Sequence, residues 1–456
     1  MDEWMEQSGI SRLAGWMAQA YPGVQDCTSQ EMHRAVEEWF RLYFDQEVSD
    51  REDPCQRLAY TVVHKLSRAC FAEYGAECDQ PFVAQILQAL NQVKEQAMQL
   101  ALVGGEVWLK PVLEGDGFRF VVIRRDRATV QGRGLDGAAT ALGTAQTFCR
   151  AGRWYTLLER RWAEGDGFWL ENRLFCRFGP HGFGRPAALD SLPETAGLPH
   201  RCWVPGVAGL GLVRMRLPLE NCVDGSPDGV SVYAAAAGLI RNINRNERQL
   251  SREFDNGESR VFASADLLRR GKRGYELPPG LFVGLDDDPE TTGLTVFSPQ
   301  LRQESFLARK REYLRNIESV IGLKRGLLGE VEAAQRTATE VTSSQGDYSL
   351  TIQDLQRMWQ QTVYQAVTLC GKLGQRYRVP GAVQLEPVRA VRLNWGNGVL
   401  YDTEKDWQQT MELVREGMLR PEIALAWRFD MPWQTPADLE KVRQMYMPQL
   451  EAMLEQ

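Results

Sequence analysis

The chain has 456 residues, 43% hydrophobic and 25% charged, which is typical of a soluble globular protein with more than one structural unit. Its 53 basic and 60 acidic residues give a net charge of −7, which argues against a protein that clamps nucleic acid over a broad basic surface. The N-terminus is acidic and the longest apolar run, residues 232–240, is too short to cross a bilayer, so we expect a cytoplasmically made protein with no membrane partner.

The first half of the chain changes from a helical to a strand-like pattern. Apolar residues recur at helical spacing through residues 1–102, which predicts a mostly helical block. From residue 104 to about residue 213 short β-type runs are broken by glycines, which predicts an antiparallel sheet region. Four tryptophans of this region are expected to be packing residues: Trp108, Trp154, Trp162 and Trp169.

Several short motifs resemble catalytic or metal-binding signatures but lack the context that these need. Residues 132–137 fit GxGxxG, but they lie between strand-like segments and are typical of a hairpin turn. The acidic turn 286–290 lacks the spacing of a calcium loop, and the serine of segment 225–229 is one place too early for a nucleophile elbow. His200-x-Cys202 is expected to be two ordinary strand residues. We therefore expect no enzymatic activity, no cofactor and no metal.

A long helix is predicted to follow the sheet. Ser226 is a suitable N-cap and Pro227 suits the first helical position, so the helix is expected to run from there to Asn256. Four arginines recur on it at spacings of four, three and four, which places them on one face. They are Arg241, Arg245, Arg248 and Arg252. This face is either a solvated or salt-bridged surface or a basic stripe that lines a channel.

Residues 257–298 are predicted to form a compact excursion. It contains the strand-like runs RVFAS, LFVGL and LTVF and a basic patch. The patch consists of Arg269, Arg270, Lys272 and Arg273. A second helix, from about Pro299 to Ile321, returns from the excursion. Two long helices are thus predicted to flank a small β-containing tip.

A glycine-spaced loop joins this helix to a third long helix. Gly322, Gly326 and Gly329 leave the backbone conformationally free, which predicts a mobile loop. The loop carries Lys324, Arg325, Leu327 and Leu328. A capping box at residues 337–340 predicts the start of the next helix, which is expected to reach Gln375.

The C-terminal part is predicted to contain one strand and then helices. The run VQLEPVRAVRLNW, residues 383–395, is predicted as the strand. Helices are expected to start near Thr403, at Pro421 and, after a Thr435 cap, at Pro436. Residues 402–456 hold six basic and eleven acidic residues, so this helical end is acidic.

The order of these elements resembles that of the portal proteins of tailed bacteriophages, in particular the long-tailed (siphovirus) type, over almost the whole chain. The first stem helix of the family and its lead-in are similar to residues 224–257, DGSPDGVSVYAAAAGLIRNINRNERQLSREFDNG. The second stem helix, tunnel loop and capped long helix are similar to residues 318–341, ESVIGLKRGLLGEVEAAQRTATEV. Residues 104–130 are similar to the wing sheet, and residues 391–413 to the last wing strand and crown.

The resemblance implies an α+β portal-protein fold with a helical and β wing, a two-helix stem, a small α/β clip, a tunnel loop with a long helix, and a helical crown. The implied division is 1–228 for the wing, 229–256 for stem helix 1, 257–298 for the clip, 299–321 for stem helix 2, 322–336 for the tunnel loop, 337–400 for the long helix and wing strand, and 401–456 for the crown.

The resemblance also implies a homo-oligomeric ring, commonly of twelve subunits, at one capsid vertex of a virion assembled in the bacterial cytoplasm. Double-stranded DNA would pass non-specifically through the ring during packaging and ejection. The implied partners are the large terminase subunit and then a head–tail adaptor on the clip, together with the major capsid protein and the scaffolding protein. The family has no catalytic activity of its own.

Site hypotheses follow from this resemblance and the charge pattern. DNA that slides must not be held tightly, which suits an acidic chain with few, localised basic groups. Lys324 and Arg325, beside Leu327 and Leu328, are expected to touch phosphates transiently. The four arginines of the first stem helix are expected to face either the channel or acids of a neighbouring stem. The basic patch is expected to lie on the clip surface that docks the terminase and the adaptor. The candidate acids are Glu304, Glu312 and Glu318.

Two rival interpretations remain. The first is a different virion structural protein, such as a head-completion or baseplate component, which would lack the order of helix, tip, helix, glycine loop and long helix. The second is an enzyme that acts on carbohydrate or peptide through scattered residues, which predicts a pocket with perturbed carboxylates.

Overall fold

A computed structural model of the chain describes residues 9–44, 56–179, 182–257, 260–263, 270–271, 274–275, 281–283, 295–297, 300–329, 338–396, 403–429, 431–433 and 435–447. The fold mixes helices and sheets, as an α+β class requires. It divides into two compact units: residues 1–70 with 77–392, and residues 71–76 with 393–456. No described helix is long and apolar enough to span a bilayer.

The predicted N-terminal helical block is confirmed. Its elements are α1 (Ile10–Ala20), α2 (Gln30–Phe44), α3 (Leu58–Phe71), the short strand β1 (Gly75–Glu77) and α4 (Pro81–Gly104). Helix α4 begins with Pro81 in its first turn, where a missing N–H costs nothing. It ends at Gly105, whose φ of 81° lies in the left-handed region, and the Gly105 amide donates to the Ala101 carbonyl.

The predicted antiparallel sheet region is also confirmed, but it forms two sheets. The strands are β2 (Glu106–Glu114), β3 (Gly117–Arg124), β4 (Ala128–Arg133), β5 (Ala139–Arg150), β6 (Arg153–Glu164), β7 (Gly167–Arg177), β8 (Arg185–Ala187), β9 (Arg201–Val204) and β10 (Val213–Arg216). The first sheet has the order β10-β2-β3, and the second β4-β5-β6-β7-β8 with β9 also paired to β7. The glycine motif at 132–137 is the β4–β5 hairpin turn, with Gly137 at φ 76°.

The tryptophans of this region pack as the sequence predicts. Trp108 is buried between the sheets, beside Leu142 and Leu210. Trp162 lies opposite Trp169 on the neighbouring strand, and their ring centroids are 6.0 Å apart. Half-buried Trp203, which the sequence analysis did not single out, extends this row on β9 at 5.3 Å from Trp169, and half-buried Trp154 lies near the other end of β6.

Two long helices flank a small set of strands, as predicted. They are α5 (Ala237–Asn256) and α6 (Gln303–Ile321), and between them lie β11 (Arg260–Ala263), β12 (Arg270–Gly271), β13 (Gly274–Tyr275), β14 (Leu281–Val283) and β15 (Thr295–Phe297). Strand β11 pairs in parallel with β14 and antiparallel with β15, and β12 pairs with β13. The described residues of segment 257–298 are strands, and its predicted helical component and the turn 286–290 lie outside them.

The predicted start of the first long helix at Ser226 and Pro227 is wrong by about ten residues. Helix α5 begins at Ala237, after a single 3₁₀ turn. The intervening segment is held by α2 and α4 instead: the Val232 amide and the Ser231 hydroxyl both donate to the Leu102 carbonyl, and the buried Tyr233 hydroxyl donates to the Trp39 carbonyl. These long-range bonds replace local helical ones. The helix has 20 residues, a rod of about 30 Å.

The third long helix, α7 (Ala338–Arg376), ends one residue beyond the prediction. Apolar residues that recur at helical spacing along it are buried: Ile352, Leu355, Trp359, Val363, Ala366 and Cys370. The predicted cap residue Thr337 lies outside the described residues. The predicted strand at 383–395 is mostly wrong, because Pro387 opens a short helix, α8 (Pro387–Ala390), and only β16 (Arg392–Asn394) forms a strand there.

The predicted C-terminal helices are confirmed. They are α9 (Thr403–Arg415), α10 (Pro421–Arg428) and α11 (Pro436–Tyr446). Thr435 caps α11: its hydroxyl accepts from the Asp438 amide, and the Asp438 carboxylate accepts from the Thr435 amide.

Candidate functional site: the α5–α6 hairpin and the turn that follows it

Helices α5 and α6 pack against each other in antiparallel orientation. The Asn246 side-chain amide donates to the Phe306 carbonyl at 3.1 Å, and Lys310 Nζ lies 3.0 Å from a Glu247 carboxylate oxygen. Nearer the end of α5, Arg302 forms a two-point ion pair with Glu253, with Nη2 at 2.7 Å from Oε2. These contacts fix which residues of the two helices lie at the same level along the hairpin.

The apolar side chains of the two helices are most deeply buried at the end of the hairpin where α5 begins. Ile243 and Ile317 are completely buried there, and Ile240 and Ile321 are nearly so. Phe254 and Val320, also apolar residues of these helices, are 44% and 51% exposed. Not every apolar residue of the two helices is therefore buried within this chain.

The four predicted arginines, which we call the arginine face, are all exposed on α5. Arg241 forms an ion pair with Glu38 of α2, with Nη1 3.0 Å from Oε1. Of the three acids named as candidate partners, Glu304 and Glu312 are exposed on α6. Glu318 is only 4% exposed, so it is not available to a neighbouring subunit and that part of the prediction is wrong.

Lys324 and Arg325 lie in a tight turn directly after α6. Gly322, at φ 75°, ends the helix in the left-handed conformation, and the Leu323 amide donates to the Glu318 carbonyl. The Leu327 amide then donates to the Lys324 carbonyl at 3.1 Å, and Gly326 at φ 81° is the third residue of this β-turn. Arg325 is exposed at the corner of the turn, whereas Lys324, Leu327 and Leu328 are half-buried.

The described part of this loop, residues 322–329, is held in place by two side chains. The Glu318 carboxylate accepts from the Gly326 amide at 2.9 Å and from the Leu328 amide at 2.7 Å. Lys65 of α3 donates to the Leu327 carbonyl. The glycines provide the positive φ values that a fixed turn requires, which corrects the interpretation that they only make the loop mobile. Helical periodicity indicated neither contact, because it does not show that the loop folds back over Glu318 or that it meets Lys65 of α3.

A buried ion-pair network fixes the segment that leads into α5. Arg125, fully buried, has its guanidinium 3.1 Å from a Glu106 oxygen and 3.0 Å from an Asp228 oxygen. Arg133 also pairs with Asp228, and Arg214 pairs with Glu106. The DGSPDG motif therefore contributes an anchoring carboxylate to the sheet region instead of a helix cap.

The predicted basic patch can be located only in part. Arg270 lies in β12, and Arg269, Lys272 and Arg273 lie outside the described residues.

The described carboxylates with shifted pKa values are all shifted downward. Burial alone would raise the pKa of Glu159, but Arg161 and Lys110 outweigh it and lower that pKa to about 2. An Arg302 hydrogen bond lowers the pKa of Glu253. A general acid needs the opposite shift. Within the described residues, no group of three His, Cys, Asp or Glu side chains is arranged to hold a metal ion.

Comparison with solved structures found similar chains of low sequence identity, among them two from neck structures. No protein-family model and no curated protein matches the sequence. A chain from the neck of a native GTA particle computed with C12 symmetry is 14% identical, with a TM-score of 0.46, and the match covers 91% of this chain and 98% of that chain. For the neck of an empty GTA particle computed with C6 symmetry the values are 15%, 0.48, 92% and 98%.

Proposed function

We propose that the chain is the portal subunit of a tailed-phage-like particle. Identical copies, twelve in our proposal, form a ring at one capsid vertex, and double-stranded DNA passes through the ring during packaging and ejection. The chain is a structural protein and not an enzyme. The observation that carries the proposal is the antiparallel α5–α6 hairpin with its exposed arginine face, followed directly by a fixed turn that presents Lys324 and Arg325.

The order of elements supports this proposal. A helical block, antiparallel sheets, a long helix, a set of short strands, a returning helix, a glycine turn, a 39-residue helix and a helical end follow one another along the chain. This is the order on which the resemblance to portal proteins rests. The second candidate is a head-completion or baseplate component. It ranks lower because such a component is not expected to combine these elements in this order.

The distribution of charge supports contact with DNA at few places. Affinity for DNA rises steeply with the number of phosphates that a protein neutralises, so many exposed arginines around a channel would hold the duplex in place. We therefore assign transient phosphate contact to Lys324 and Arg325. The arginine face is assigned to the contact with a neighbouring copy.

The levels of charged residues along the hairpin fit that contact. Arg252 is next to Glu253, which pairs with Arg302, so Glu304 lies near the level of Arg252. Arg245 is close to Glu247, which pairs with Lys310, so Glu312 lies near the level of Arg245. Rotation about a ring axis leaves heights unchanged, so exposed acids of one copy would meet arginines of the next.

The remaining partners belong to the same proposal. The segment between α5 and α6, with its basic patch, would dock the large terminase subunit during packaging and a head–tail adaptor afterwards. The major capsid and scaffolding proteins would surround the ring during assembly in the bacterial cytoplasm.

Charge reversal of the turn tests the assignment of DNA contact. In particles assembled with Lys324→Glu and Arg325→Glu together, we expect intact rings but less packaged or retained DNA, because phosphates would meet repulsion. DNA per particle and ring formation are measured in parallel. Glu95→Gln, a change at an exposed glutamate of α4 that belongs to none of the proposed contacts, is the control variant. Normal DNA content in the double variant would contradict the assignment.

A further inference from the structure

We propose that Glu318 is a positioning residue that fixes where Lys324 and Arg325 meet the DNA backbone. This inference rests on the proposed function, since it concerns the same turn. Glu318 lies in the last turn of α6, and its side chain is buried beneath the segment that follows.

The carboxylate makes the contacts that such a role requires. Its two oxygens accept from two different backbone amides: Oε2 from Gly326 at 2.9 Å and Oε1 from Leu328 at 2.7 Å. Hydrogen bonds to an ionised acceptor are about twice as strong as neutral ones, and these two distances fall in the range of such bonds. Each carboxylate oxygen is therefore bonded to one backbone amide, the first at the third residue of the turn and the second just after the turn.

A second contact closes the turn from another helix. Lys65 of α3 donates to the carbonyl of Leu327, which lies between the two amides held by Glu318. Three consecutive residues are thus held by charged groups from two helices. Arg325 precedes this held stretch, at the corner of a turn whose i to i+3 hydrogen bond starts at Lys324. The position of both basic residues therefore depends on a side chain that does not itself contact DNA.

The buried site also explains why an acid is required. An apolar residue at position 318 would remove the acceptor of both the Gly326 and the Leu328 amide, so the turn would lose the two bonds that hold it against α6. Glutamine offers only one oxygen, so it can satisfy one amide well. Glu95, an exposed glutamate of α4 that belongs to none of the proposed contacts, provides a matched control.

The first measurement is residue-resolved hydrogen–deuterium exchange on the full chain. With Glu318→Ala we expect the Gly326 and Leu328 amides to exchange at least about tenfold faster, with a smaller effect for Glu318→Gln and none for Glu95→Ala. Thermal unfolding of each variant shows whether the fold is retained. If both amides of Glu318→Ala exchange at the wild-type rate, the positioning role of Glu318 is wrong, whether or not the turn contacts DNA.

The second measurement is a double-mutant cycle on DNA retained per particle. We expect Glu318→Ala to reduce retention several-fold in the wild-type background and to add nothing in the Lys324→Ala/Arg325→Ala background, because the groups that it positions are gone. An additive effect, or no effect in the wild-type background, would overturn the positioning role alone. If Lys324→Ala/Arg325→Ala itself leaves retention unchanged, the proposed DNA contact fails and the inference fails with it.

Discussion

Arg125 is the residue on which the lead-in to the α5–α6 hairpin depends. Its guanidinium connects Glu106 at the start of the first sheet with Asp228 ahead of α5, and it also donates to the Ala128 carbonyl and to Thr28. All three charged side chains are completely buried. A buried charge of this kind is stabilising only while its partners remain.

We predict that Arg125→Ala lowers the free energy of unfolding by about 3 kcal/mol, because Glu106 and Asp228 lose their central counter-charge. Urea denaturation of the variant and the wild type measures the difference. Arg357→Ala removes an exposed i,i+3 pair with Asp354 and should change stability by less than about 1 kcal/mol. Equal destabilisation by the two substitutions would show that burial of the Arg125 network has no special role.

Glu159 predicts a dependence of stability on pH. Arg161 and Lys110 hold its pKa at about 2 against burial, below the ordinary value of 4.5. Because the folded pKa is the lower one, the stabilisation is complete above pH 4.5 and is lost as the pH falls towards 2. A shift of this size corresponds to about 3 kcal/mol.

Glu159→Gln should therefore be less stable than wild type at pH 7, and the difference should shrink as the pH falls from 4.5 towards 2. Urea midpoints at pH 7, 4.5 and 3 provide the measurement. A difference between variant and wild type that stays constant with pH would refute the stabilising role of this carboxylate.

At the scale of elements, the sequence predicted the kind and order of most helices and strands but not the interactions that fix their ends. The periodicity of α4, α6 and α7 and the glycine-broken strands are local signals. The start of α5 is set by the Leu102 carbonyl and by Trp39, which are distant in sequence, so Ser226 and Pro227 gave a wrong start. Glu318 was misassigned to a subunit contact because a helical period does not show that a following loop folds back over the helix.

The α5–α6 hairpin gives an element-scale prediction about the ring. Arg245→Glu with Arg252→Glu should prevent ring formation, because exposed acids at the same levels on the neighbouring copy would then repel. Adding Glu304→Arg and Glu312→Arg to the same chain should restore rings, since the charge pattern is inverted on both sides. Size-exclusion chromatography with light scattering reports the mass of the assembly.

The result that would contradict the arginine-face contact is ring formation by the double glutamate variant at the same protein and salt concentration as wild type. If the double glutamate variant forms intact rings but DNA no longer passes through them, the arginine face lines the channel instead of the subunit contact. High salt should weaken the wild-type rings if the charged contact contributes to them.

At the scale of the whole molecule, the net charge of −7 is informative only when it is divided along the chain. Residues 402–456, with six basic and eleven acidic residues, account for much of the imbalance. Basic residues recur instead on α5 and in the turn after α6. The acidic average excludes a protein that clamps DNA, and the local distribution is compatible with one that lets DNA pass.

The central claim is that copies of this chain form a closed ring around DNA, and class-averaged electron micrographs of the purified full-length protein test it most directly. The account predicts ring-shaped particles with cyclic symmetry and a central channel wide enough for a double helix, formed alone or with capsid and scaffolding proteins. Monomers only, in the presence of those proteins, would contradict it.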